Sequence, residues 1–124
     1  MCPDPSVPAP RLRLRLVFET AMLGPGKADL LESIGELGSI AAAGRRMGMS
    51  YKRAWMLVET MNAAFREPLV ARTRGGPRGG GAELTPTGAA VLASYRRLER
   101  QTASAGADEI RAIQKLLRPG ADGK

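Results

Sequence analysis

The spacing of apolar residues along this chain changes from one stretch to the next, and each change marks an element. From Arg11 to Phe18 the alternation is strict, with Leu12, Leu14, Leu16 and Phe18 on one face and Arg11, Arg13 and Arg15 on the other. A period of two predicts a half-buried strand carrying a solvated arginine row. After the breaker Gly24-Pro25-Gly26 the spacing lengthens, and Leu30, Leu31, Ile34 and Leu37 form the inward stripe of a helix. Gly38 ends it. Ser39 then N-caps a short helix over Ile40–Met47, rich in alanine, so that its backbone can approach a neighbour closely. Arg45 and Arg46 stand near its C-terminal end, where positive charge also favours the helix dipole.

Gly48 supplies a turn at little conformational cost, and Ser50 caps a longer helix that runs to about Phe65. Ala54, Leu57, Val58, Met61 and Phe65 share its inner stripe, with Trp55 on the flank as a core aromatic rather than a base-stacking platform. Tyr51, Lys52, Arg53, Met56 and Glu59 fall nearer the opposite side. Pro68 forbids continuation.

Beyond it, Leu69–Thr73 predicts a short strand, Arg74–Gly81 a glycine-rich tip and Ala82–Leu84 the return strand. Thr85, followed by Pro86 at the first helical position, opens a final helix whose apolar set includes Ala89, Val91, Leu92, Tyr95 and Leu98. The pattern weakens at Ser104–Gly106 and resumes with Ile110, Ile113, Leu116 and Leu117, giving one long helix or two separated near Gly106. The fold class expected is mainly α (α+β): a winged helix-turn-helix with an N-terminal strand, a glycine-rich β-hairpin wing and a long C-terminal helix. Residues 1–10, with four prolines, make a disordered leader. The winged helix-turn-helix domain covers 11–100, a C-terminal helical extension 101–118, and a loose tail 119–124.

Composition narrows the function. The chain has 124 residues, enough for one small core without covalent staples. Its net charge of +7 favours a polyanionic partner, because neutralising phosphates releases condensed counterions. There is no histidine, which removes the commonest general base and metal ligand. The single cysteine, Cys2, excludes a disulfide framework within the chain and fits a reducing cytoplasm. No apolar run approaches the roughly 18 residues that span a bilayer, and arginines interrupt the only candidate secretory segment. No acid–base or nucleophilic site can be assembled, so neither an enzyme nor a cofactor or metal is implied.

The chemistry instead points to double-stranded DNA. A recognition helix exposes polar, groove-compatible side chains in its first turn, and Ser50, Tyr51, Lys52 and Arg53 occupy that turn here, with Met56 one turn on. Backbone amides at a helix start hold phosphate, while lysine and arginine add charge-assisted bonds or read guanine edges. Ser39 and Arg45 of the preceding helix belong to the same set. On the hairpin, Arg72, Arg74 and Arg78 accompany glycines and Pro77, a thin basic finger suited to a minor groove or the phosphate backbone. The glycines do not form a P-loop, since no Lys-Ser/Thr follows, nor do they open a helix as a dinucleotide fingerprint requires.

Three segments carry a family resemblance: Gly38-Ser-Ile-Ala-Ala-Ala, Met49-Ser-Tyr-Lys-Arg-Ala-Trp55, and the stretch from Leu69 to Thr85 with its Gly-Gly-x-x-Gly-Gly-Gly wing. Over roughly Leu12 to Arg100 the chain resembles the N-terminal DNA-binding domain of the ModE-type molybdate-dependent transcriptional regulators. The resemblance implies a homodimeric winged-helix regulator of genes for molybdate uptake or molybdenum enzymes. It maps Ser50, Tyr51, Lys52 and Arg53 to the recognition helix and Arg74 to Gly81 to the wing. Full-length members continue into paired small β-barrels that bind the oxyanion, whereas no β-rich segment follows Gly88. The alternatives are a single-domain relative, slightly favoured by the Pro119-Gly-Ala-Asp-Gly-Lys end, or a part of a longer protein, and molybdate binding by this chain is doubtful.

The final helix has more apolar positions than one small domain needs, and helix-turn-helix proteins generally act as two-fold dimers. Thr87 to Leu117 is therefore assigned mainly to homodimerisation. A different class of function is a protein-interaction modulator that heterodimerises with a full-length regulator through this helix.

Overall fold

Local chemistry at the ends of the helices sets the order of elements. The computed structural model describes residues 10–73 and 81–118. Helix α1 (Pro25–Leu37) has its proline in the first turn and closes where Gly38 adopts φ 69°, its N–H donating to the Ile34 carbonyl at 2.8 Å. Ser39 Oγ accepts from the Ala42 N–H at 3.1 Å and starts helix α2 (Ile40–Arg46). The chain then reverses at Gly48, whose φ of 70° lies in the left-handed region that side chains with a Cβ rarely enter. Ser50 Oγ accepts from the Arg53 N–H at 3.1 Å and caps helix α3 (Tyr51–Ala64). These caps each satisfy an amide that the first turn of a helix leaves without a partner.

Strands β3 (Val70–Thr73) and β4 (Gly81–Leu84) form an antiparallel hairpin, with Val70 opposite Leu84 and Thr73 opposite Gly81. Helix α4 (Pro86–Ala105) follows, capped by Thr85, and helix α5 (Ala107–Lys115) comes after a break at Gly106. The long C-terminal helix expected from the sequence is thus two helices. Two further strands, β1 (Leu16–Val17) and β2 (Met22–Leu23), pair near the N-terminus.

The N-terminal strand is shorter than the alternation over Arg11–Phe18 predicted. The Phe18 N–H donates to the Ala21 carbonyl at 2.7 Å, so the chain doubles back at once and β2 reaches only Leu16 and Val17. Leu14 and Leu16 are half-buried, but Leu12 and Phe18 are exposed. Upstream, the Leu14 carbonyl accepts from the Tyr95 hydroxyl instead of from a strand. The proline-rich leader over 1–9, the hairpin tip over 74–80 and the tail over 119–124 lie outside the described residues.

The main core joins Leu30, Leu31 and Ile34 of α1, Ile40 and Ala43 of α2, and Ala54, Val58 and Met61 of α3 to the hairpin residues Leu69, Val70 and Ala82. A second cluster, Leu23, Ala28 and Tyr95, packs α4 on α1 with Leu14 and Leu16 against it. On the surface of that joint Arg96 meets Asp29 at 2.8 Å, Glu99 at 3.0 Å and Glu32 at 3.3 Å. Partial burial alone would weaken the Arg96 guanidinium's hold on its proton. The hydrogen bonds to Asp29 and Glu99, with the charge of Glu32, reverse this and hold it more firmly than usual.

At Gly88 helix α4 meets the hairpin base backbone to backbone. A Cβ there would lie 2.0 Å from the Leu69 carbonyl oxygen, so only glycine permits the approach. The same joint is closed by the Thr85 N–H, which donates to the Leu69 carbonyl at 3.0 Å.

Candidate nucleic-acid interface

The amphipathic division of α3 presents one polar face. Ala54, Val58 and Met61 are buried, while Tyr51, Lys52, Arg53, Met56 and Glu59 are exposed, Tyr51 by 52% and Met56 by 53%. Ser50 Oγ takes the Arg53 amide and fixes the start of the helix, from which the exposed residues Tyr51, Lys52 and Arg53 project. That combination suits a groove: fixed amide dipoles, mobile cations and an aromatic hydroxyl in one turn.

The other sequence-derived residues fall into different situations. Ser39 is half-buried, and its hydroxyl is engaged in capping α2. Arg45 is exposed at the end of α2, whereas its neighbour Arg46 turns back to pair with Glu36 of α1. Arg72 is exposed on β3, with its guanidinium carbon 6.0 Å from the centre of the Trp55 ring. That is the range of a cation–π contact. Arg74 and Arg78 lie outside the described residues.

Trp55 was expected in the core and is instead half-buried, lying beneath Arg72. It sits one helical turn beyond Tyr51, so the contact ties the inner end of the hairpin to the flank of α3 next to its polar face. The structure therefore brings Ser50, Tyr51, Lys52, Arg53, Met56 and Arg72 together around α3, while Ser39 contributes through the cap.

Sequence reasoning missed Asn62. Its Oδ1 accepts from the Leu69 N–H at 2.8 Å and the Val70 N–H at 3.1 Å, and its Nδ2 donates to the Val70 carbonyl at 3.1 Å. The side chain thus completes the first strand of the hairpin from the last turn of α3 and fixes the angle between the two. The only sequence signal was an amide beside an apolar stripe, shortly before Pro68.

Helices α2 and α3 across the Gly48 turn, followed by the β3–β4 hairpin, define a winged helix-turn-helix. The chain belongs to the bacterial regulatory helix-turn-helix protein family of the lysR type, whose pattern matches residues 27–89. It is 46% identical over 79 residues to the molybdenum-pterin-binding protein MopB of Rhodobacter capsulatus, covering 64% of this chain and 29% of that protein. It is also 41% identical to the molybdenum transport protein ModE of Azotobacter vinelandii, covering 88% of this chain and 46% of that one. The chain spans less than half the length of these relatives.

Among solved structures, the CbnR DNA-binding domain in complex with DNA superposes with a TM-score of 0.55 at 26% identity, covering 72% of this chain and 95% of that one. Full-length CbnR with its target DNA gives 0.54 at 28% identity, over 70% of this chain and 28% of CbnR. The chain is a helix-turn-helix DNA-binding domain of the transcriptional-regulator class.

Proposed function

We propose that this domain binds duplex DNA sequence-specifically as a homodimer, with the start of α3 in the major groove and the wing on the adjacent groove or backbone. The observation that carries this reading is the capped first turn of α3, where Tyr51, Lys52 and Arg53 stand exposed while Ala54, Val58 and Met61 are buried on the inner face. Lys52 and Arg53 supply base-edge or phosphate contacts, Tyr51 and Met56 line the groove wall, and Arg45 adds charge from α2. Arg72 anchors the base of the wing, from which Arg74 and Arg78 extend the contact. Dimerisation runs through the C-terminal helical extension, in the domain order 11–100 followed by 101–118. The names of the similar proteins support a connection with molybdenum, the regulatory helix-turn-helix family supports control of genes, and the domain acts in the cytoplasm.

The test is selection of bound sequences from a random duplex pool, followed by titration of the winner and of random duplex at two salt concentrations. Arg53→Ala should weaken binding to the selected duplex by about 1–3 kcal/mol and random duplex by less. Arg78→Ala should weaken both and flatten the salt slope by about one unit. Equal losses from Arg53→Ala on both duplexes would remove base reading from that residue.

A further inference from the structure

Strand β3 is held to helix α3 at two separate points. At the first, Asn62 Oδ1 accepts from the Leu69 N–H at 2.8 Å and the Val70 N–H at 3.1 Å, and its Nδ2 donates to the Val70 carbonyl at 3.1 Å. Val70 gives both its backbone groups to this one carboxamide, so Asn62 fills the edge of β3 that faces away from β4. At the second point, the Arg72 guanidinium carbon stands 6.0 Å from the centre of the Trp55 ring.

Asn62 and Trp55 lie on the same flank of α3, two turns and about 10 Å apart. Val70 and Arg72 are about 7 Å apart at strand spacing, a difference that the long Arg72 side chain spans. Later residues of the strand meet earlier residues of the helix, so β3 returns along α3 towards its capped start at Ser50. A single contact would leave the strand a pivot. Two contacts this far apart fix its direction. From the other side, the Leu69 carbonyl accepts from the Thr85 N–H at 3.0 Å, and Gly88 lies against the same carbonyl. Leu69 is fully buried at this junction, while Arg72 is exposed.

This arrangement bears on how two elements read one duplex. Contacts from α3 and from the hairpin contribute in full only when both reach the duplex in one docking geometry, and a hairpin free to swing has to be ordered on binding at a cost in affinity. We infer that Asn62 and the Trp55–Arg72 pair lock the hairpin base to α3, so that helix and hairpin meet DNA as one preformed unit, with Asn62 as a positioning residue for DNA binding. The lock rests on the DNA-binding reading proposed above.

The experiment titrates the selected duplex with the full chain over a range of salt. It compares the wild type with Asn62→Ala, Trp55→Leu, Arg53→Ala and the two double variants that combine Asn62→Ala with each of the others. Circular dichroism verifies the folds, and stoichiometric titration counts the binding-competent fraction, so that lost stability does not pass for lost affinity. Asn62→Ala and Trp55→Leu should each weaken binding about fivefold to tenfold and flatten the salt slope by about one unit, as phosphate contacts near the hairpin are lost. The Asn62→Ala, Trp55→Leu double variant should bind little more weakly than either single one, since a strand freed at one point has little left to lose at the other. Arg53→Ala should instead multiply with Asn62→Ala, because Ser50 fixes the first turn of α3 separately. Asn62→Asp keeps both acceptor bonds and loses the one to the Val70 carbonyl. It should fall between the wild type and Asn62→Ala, and it takes the place of the alanine variant should that chain not fold. Tighter binding by Trp55→Leu would mean that the ring withholds Arg72 from phosphate, and would overturn the lock. Unchanged affinity and slope in Asn62→Ala, or full multiplication of the Asn62→Ala and Trp55→Leu losses, would overturn it while leaving the DNA-binding reading intact. A wild-type chain that selects no duplex, or Arg53→Ala without effect on the selected one, would overturn that reading and the lock with it.

Discussion

Helices α3 and α5 are both amphipathic, but their two faces have opposite fates. In α3 Ala54, Val58 and Met61 are buried in the core and the polar face is left outward; in α5 no residue is buried, Asp108 pairs with Arg111, and Ile113 stays exposed. The hydrophobic effect makes no distinction between a partner within the chain and one outside it. A helix whose apolar face is filled from within is complete as a fold and offers chemistry, and one whose apolar face stays open offers an interface. The molecule thus presents a polar face on α3 and leaves Ile113 of α5 exposed.

The sharpest way to break that comparison is to disrupt the body on which α3 rests. Gly88→Ala forces a Cβ into the Leu69 carbonyl and should cost about 3 kcal/mol or more, since only a backbone shift can relieve it. Urea unfolding measures the loss, and a near-neutral result would deny the close α4–hairpin approach. Asn62→Ala leaves the Leu69 and Val70 amides without their acceptor and should cost about 1–3 kcal/mol. Hydrogen exchange should speed up first at those amides.

A smaller effect involves Tyr95. Burial raises its phenol above the ordinary value of 10.0, with the charge of Glu99 adding to the rise. The folded state therefore binds the proton more tightly than the unfolded chain does. The stability tied to that proton is fully present below about pH 10 and is lost as pH climbs towards the higher folded value. Tyr95→Phe should flatten this alkaline fall, at a cost of about 1 kcal/mol at neutral pH for the lost bond to Leu14. An identical alkaline profile in the variant would exclude Tyr95 as its source. The smallest change belongs to α5: Ile113→Ser should alter the stability of the isolated subunit by less than about 0.5 kcal/mol, because the residue is exposed.

How much of this was legible beforehand follows the range of the interactions. Caps at Ser39, Ser50 and Thr85, the turn at Gly48 and the stop at Pro68 depend on neighbours a few residues away, and their chemistry is written locally. The exposed set on α3 was equally readable, because one helical period fixes which side chains share a face. The Arg11–Phe18 alternation was not decisive, since a strand needs a partner and the turn at Phe18–Ala21 supplies one only for Leu16 and Val17. Asn62 reaching Leu69, Gly88 lying against the same residue and Arg72 covering Trp55 are contacts between elements. Periodicity carries no information about them. Trp55 shows the consequence: its place on the stripe's flank was visible, but the cation above it was not.

The account stands most directly on where DNA touches the domain. Backbone amide shifts recorded while a selected duplex is added to the labelled full chain would locate it. The largest changes should fall on Ser50 to Met56 and Arg72, with α5 unmoved. Changes concentrated on α5 and Phe18, with the start of α3 silent, would contradict it.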